Sequence, residues 1–117
     1  MTKQLNRGEV WLANLDPTQG SEQAGIRPVI IFQNDIVSKF STTTITIPLT
    51  TNKRRASLPI CVMIKRGNGG LSQDSVALCF QLRVLDKTRL IKRLGQLHPQ
   101  TIAELEEVVL VTLGYDL

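Results

Sequence analysis

The side chains that could do chemistry are few in this chain. It has one histidine, His98, directly before Pro99, and that residue reads as a surface or helix-capping group rather than an acid–base catalyst. The two cysteines, Cys61 and Cys79, lie in apolar runs without the close spacing of a metal motif, so they read as reduced core thiols. No carboxylates gather with His or Cys in a ligand pattern. Two polar stretches stand out instead. GSEQAGIRPVIIFQND, residues 20–35, carries Ser21, Glu22 and Gln23 between two glycines and turns apolar after Arg27-Pro28. Its chemistry is hydrogen bonding, plus the charge of one arginine at the mouth of an apolar strand; taken alone it is a hydrophilic loop joined to a core strand. TTNKRR, residues 50–55, sets Lys53, Arg54 and Arg55 beside Thr50, and a solvated charge run competes there with an anion-tracking one.

These residues need a scaffold. The 117 residues suit one domain spanning 1–117, and 42% hydrophobic against 21% charged residues supports a folded core. The net charge of +4 favours a polyanionic partner only mildly. The N-terminus has no apolar signal-peptide region and no apolar run reaches membrane-spanning length, so a soluble, cytoplasmic protein with no membrane partner is expected. Strand-like segments run along most of the chain: residues 9–15, 28–33 with Pro28 first, 43–49, 58–65, a long and bent 75–86, and a short one in LIKRLGQL. NDIVSKFS reads as an irregular connection or one helical turn. From Pro99, Ile102, Leu105, Val109 and Leu113 recur at helical spacing, with Glu104, Glu106 and Glu107 in the N-terminal half and Gly114 as a stop. The expected fold is mainly β: a small, mostly antiparallel β-barrel closed by one C-terminal helix.

RGEVWLANLDPTQGSEQAGIRPVIIFQND, residues 7–35, resembles the opening of the MazF/PemK family of toxin endoribonucleases. The order Arg-Gly-acid-Val-aromatic, Asp-Pro, Gly-Ser-Glu-Gln, Arg-Pro is the family's. IPLTTN, FQLRVLDKTRL and the C-terminal helix also fit, so the likeness covers essentially the whole chain. It implies an SH3-like barrel of the MazF/PemK/CcdB type that forms a homodimer. It implies sequence-specific cleavage of single-stranded mRNA with no metal or other cofactor, by 2′-hydroxyl attack giving a 2′,3′-cyclic phosphate and a 5′-hydroxyl. It implies a cognate antitoxin that blocks the RNA groove, and DNA binding by the toxin–antitoxin complex.

The resemblance also places roles. The family's catalytic arginine maps onto Arg27, whose fork can bind two phosphate oxygens; arginine stays protonated, so it fits an acid and clamp better than a base. The catalytic threonine maps onto Thr50, with an ordinary strand-end residue as the rival reading. Gly20, Ser21, Glu22 and Gln23 form the expected base-reading loop, because unstacked single-stranded RNA exposes its base edges. Thr51, Lys53 and Arg54 would follow phosphates. Gln81 and Arg83, alternating on one strand face, would point into the same groove. Trp11 reads as core or interface. Two positions depart from the family: Phe80 where many members have an acid, and Val84 where many have Thr. Either Phe80 only repacks the barrel, or a recognition carboxylate is lost. A CcdB-like gyrase-binding toxin and a non-catalytic RNA-binding barrel are the alternatives; the Gly-Ser-Glu-Gln…Arg-Pro segment favours the nuclease.

Overall fold

The computed structural model describes residues 4–54 and 60–116. Seven strands form one antiparallel sheet: β1 (Glu9–Asn14), β2 (Ile26–Ile31), β3 (Thr43–Thr50), β4 (Cys61–Ile64), β5 (Ser75–Leu78), β6 (Arg83–Asp86) and β7 (Leu90–Gln96). The order is β4-β5-β3-β2-β1-β7, with β6 also paired to β3. β3 is the hub. Its sequence TTITIPLT is rich in β-branched residues, which suit a strand packed on both sides. Thr43 to Thr46 meet β6, Thr46 to Pro48 meet β2, and Leu49 and Thr50 meet β5.

The path of the sheet is open between β4 and β7, so the fold is barrel-like rather than a closed cylinder. A 3₁₀ turn, Asn68–Gly70, in the β4–β5 connection lies on β7 across that gap. Two glycines make the approach possible. A Cβ on Gly70 would sit 2.1 Å from the Leu94 carbonyl oxygen, and one on Gly95 would sit 2.6 Å from the Gly69 carbonyl carbon. The inner core joins Val10, Ile30, Phe32, Ile47, Leu49, Val62, Ile64 and Ala77 to Leu105 and Val109 of helix α2 (Pro99–Thr112), which caps it. A smaller cluster, with Leu5, Ala13, Leu15, Val29, Ile31, Leu85 and Leu90, has Trp11 packed against it.

Several elements differ from the reading above. β2 starts at Ile26, so Pro28 is its third residue; the β2–β3 ladder begins only at Val29, and an edge-like position tolerates the missing N–H. NDIVSKFS contains a helix, α1 (Asp35–Phe40), started by the Asn34 side chain, which accepts from the Ile36 and Val37 N–H groups. The expected long strand 75–86 is two strands broken by a 3₁₀ turn, Cys79–Gln81. The strand expected over 58–65 runs Cys61–Ile64; residues 58 and 59, like Arg55, lie outside the described residues. Pro99 opens α2 as expected, but its first turn holds no acidic residue, and Glu106 instead pairs with Arg7 at 2.9 Å. Leu113 is the exposed C-cap rather than a core residue. Gly114 follows with φ 92°, its N–H bonded to Val111 and that of Tyr115 to Leu110, a Schellman closure.

Candidate active site

The β2–β3 register pairs Val29 with Pro48 and Ile30 with Ile47. Continuing it two residues toward the open end sets Arg27 across from Thr50. The two side chains line one shallow cleft of about 30 Å³, with Pro28, Leu49, Thr51 and Ser75. Arg27 is thus not at the loop–strand junction but one residue inside β2. Its Nε donates to the Ala24 carbonyl at 3.1 Å, which orients the guanidinium and leaves both terminal nitrogens for a ligand. Thr50 is nearly buried, and its Oγ1 accepts from the Asn52 N–H at 3.2 Å. A hydroxyl that accepts from the backbone keeps its own proton to donate.

The connection between β1 and β2 is tied at its base. Leu15 N–H donates to the Gly25 carbonyl at 2.9 Å, and Gly25 N–H to the Asp16 carboxylate at 3.1 Å. Gly20 and Gly25 both have positive φ. The tip is held by Gln81, whose amide oxygen accepts from Gln23 N–H at 2.8 Å and whose NH₂ donates to the Ser21 carbonyl at 3.1 Å. The Gln23 side chain donates to the Leu49 carbonyl at 3.3 Å, beside the cleft. The loop therefore lies against the site, as its expected role requires. Much of its polar inventory is committed within the protein, however: Glu22 accepts from Gln19 N–H at 3.2 Å and faces Arg83 at 3.8 Å.

Gln81 and Arg83 do not alternate on one strand, because Gln81 lies in the 3₁₀ turn and Arg83 opens β6. They still converge on the same loop from one side. Arg83 Nη1 is buried without a hydrogen-bond partner, next to Glu22. Thr51 borders the cleft, while Lys53 pairs with Asp74 at 3.6 Å; the Arg54 N–H donates to the Asn52 side chain at 3.2 Å. Ser75 of the cleft wall and Asp74 beside it had no sequence signal; the pairing of β3 with β5 brings them in. His98 is an exposed helix N-cap whose side chain makes no cap bond. Burial pushes the Cys79 thiol up to about 12, and neither cysteine forms a disulfide. Among the described residues no three of His, Cys, Asp and Glu gather as a metal set, and no helix is long and apolar enough to cross a membrane.

The model of the family described as PemK-like, MazF-like toxin of type II toxin–antitoxin system matches residues 6–113. The chain belongs to this family. A relative from Staphylococcus saprophyticus, Endoribonuclease MazF, is 43% identical over 110 residues, 94% of this toxin and 92% of its own length. A crystal structure of MazF from Deinococcus radiodurans superposes with a TM-score of 0.83 at 22% identity, covering 97% of this toxin and 99% of that chain. An endoribonuclease in complex with its cognate antitoxin, from a mycobacterial species, gives 0.78 at 20% identity over 99% of each chain. At such identities these likenesses establish the fold alone.

Proposed function

We propose that this MazF-type toxin endoribonuclease cuts single-stranded RNA at short sequences, without a metal ion, in the cleft between Arg27 and Thr50. The observation that carries the reading is their placement: a pre-oriented guanidinium faces a proton-bearing hydroxyl across one cleft. The 2′-hydroxyl gives up its proton to solvent as its oxygen attacks the adjacent phosphorus, and the bond to the 5′-oxygen breaks. The products are a 2′,3′-cyclic phosphate and a 5′-hydroxyl. Both terminal nitrogens of Arg27 receive the charge that builds on the phosphoryl oxygens. The same guanidinium stands as the proton donor to the leaving oxygen, and the Thr50 hydroxyl donates to a non-bridging oxygen.

The loop held by Gln81 and Arg83 reads the bases beside the cut. In that reading the Glu22 carboxylate, which faces Arg83 at 3.8 Å, is the acidic group of the loop. Toxins of this family belong to toxin–antitoxin pairs, so a cognate antitoxin is the protein partner. A second copy of the chain is the other. The groove of about 450 Å³ between Phe32, Ile45, Leu82 and the Val109–Leu110 side of α2, with exposed Leu113 on its wall, is apolar surface that such partners would cover. Sedimentation of the isolated toxin at the mass of a single chain at micromolar concentration contradicts the dimer.

Incubating the toxin with a long unstructured RNA in EDTA and mapping new ends tests the reaction. Discrete cuts with 5′-hydroxyl ends, lost in Arg27→Ala and reduced in Thr50→Val, are expected. Intact RNA under these conditions, or cutting that survives Arg27→Ala, refutes it.

A further inference from the structure

A second cleft, of about 460 Å³, opens next to the first and is lined by Thr51, Lys53, Arg66, Ser72, Gln73 and Asp74. The two are continuous at their shared wall: Thr51 borders both, and Ser75 of the first follows Asp74 of the second. The volume lies within the roughly 300–1,000 Å³ of small-ligand sites, and so has room for a nucleotide unit. Its lining is polar throughout, with two cations, one carboxylate, two hydroxyls and an amide. Only Thr51 and Lys53 come from the strand end beside Thr50; the rest come from the β4–β5 connection, which the sequence gives no reason to place here.

Asp74 sets the geometry. One carboxylate oxygen accepts from the Arg66 N–H at 2.8 Å, and the other faces the Lys53 ammonium at 3.6 Å. The first bond fixes the loop by its backbone and leaves the Arg66 side chain available to a ligand. The second is an exposed pair, with Lys53 65% and Asp74 44% accessible. Such pairs contribute little and open readily, so Lys53 can turn from Asp74 to an incoming anion. The Arg66 backbone N–H and the nearby Lys53 and Lys65 charges hold the Asp74 carboxyl below its ordinary range. Lys53 and Arg66 against Asp74 leave the cleft lining net positive, and the Lys65 charge is nearby.

We propose that this cleft is a second nucleotide subsite, in which Arg66 and Lys53 hold a phosphate neighbouring the scissile one and Ser72 and Gln73 face the attached base. The inference rests on the reading of the Arg27–Thr50 cleft as the cutting site. RNA whose scissile phosphate lies there runs across Thr51 directly into the second cleft. Asp74 then acts as a counter-charge that keeps Lys53 in place in the empty site and gives it up when phosphate arrives.

The test is a coupling experiment on a short RNA carrying one mapped cut site. The phosphates one step 5′ and one step 3′ of the scissile one are replaced in turn by an uncharged methylphosphonate. Arg66→Ala is expected to raise KM about 10-fold, the size of one charge-assisted hydrogen bond, and to act on KM rather than kcat. On the RNA neutralised at one flanking position, and at that position only, the variant and the wild type should converge. The slope of log KM against log salt should fall by about 0.7 in Arg66→Ala, the share of one phosphate on a single strand. Arg66→Lys should recover much of the loss, and Asp74→Asn should lower KM. An Arg66→Ala enzyme equal to wild type, or one equally impaired on every RNA, overturns the proposal. If the wild type binds RNA but cuts none, the reaction reading fails while the same coupling read from Kd still decides the subsite.

Discussion

Replacing Gln81 by alanine should free the β1–β2 loop without unfolding the barrel. Gln81 makes two hydrogen bonds to that loop, to the Gln23 N–H at 2.8 Å and the Ser21 carbonyl at 3.1 Å. Each is worth about 0.5–1.5 kcal/mol net, so their joint loss lowers the local opening free energy by about 1–3 kcal/mol. That corresponds to a roughly 5- to 150-fold loss of amide protection at Gln23. The inner core contains no residue of the loop tip, so the thermal midpoint should move by only about 1–2 °C. Residue-resolved hydrogen exchange is the assay, with β3 and β5 amides as the internal reference. In cleavage assays the same variant should cut more sites with weaker preference among them. Unchanged exchange at Gln23, or protection lost uniformly across the sheet, would refute the reasoning, because either result means that Gln81 does not hold the loop locally.

Three further outcomes follow from the same structure. Gly70→Ala meets the Leu94 carbonyl and a φ of 75°; together these should cost about 2–4 kcal/mol, read as a shifted denaturant midpoint, whereas Gly20→Ala, with open space around its Cβ position, should cost much less. Asp86 accepts from the Thr88 N–H and hydroxyl and Asp74 from the Arg66 N–H, and both carboxyls are held below the ordinary 3.8. Their folded values are depressed, so their stabilisation is present above about pH 4 and is lost as pH falls through those values; an acid titration of stability should be shallower in Asp86→Asn. Cys79, buried and shifted to about 12, should resist a thiol reagent at pH 8 until the chain unfolds, while half-buried Cys61 reacts first.

The parts of the fold legible in the sequence were those with strong local periodicity. TTITIPLT and the Ile102–Leu105–Val109 spacing specify a buried strand and a helix whatever surrounds them. A bend within 75–86 was expected, but its place and its 3₁₀ form at Cys79–Gln81 were not legible, because SVALCFQLRVLD carries no Gly or Pro to mark them. Tertiary pairing makes the break: β3 bonds β5 through Leu49 and Thr50 but β6 through Thr43 to Thr46, so the chain must turn between the two. The site divides in the same way. Arg27 and Thr50 could be named from the family's ordered motif, while their confrontation across one cleft depends on the β2–β3 register. Gln81 was expected on a strand face beside Arg83; the 3₁₀ turn moves it off that strand, where it bonds Ser21 and Gln23 of the loop. Arg66 and Asp74 had no local signal at all, since only the fold of the β4–β5 connection carries them beside Lys53.

In the proposed reaction the Arg27–Thr50 cleft drives attack by the substrate's own 2′-hydroxyl. A single 2′-deoxy substitution at the nucleotide 5′ of a mapped cut, assayed in EDTA, tests it most directly. Cleavage at that position is expected to disappear while binding and cutting at an unmodified second site persist. Cleavage at the deoxy position at an undiminished rate would show that water or another nucleophile attacks the phosphate, and would rule out 2′-hydroxyl attack.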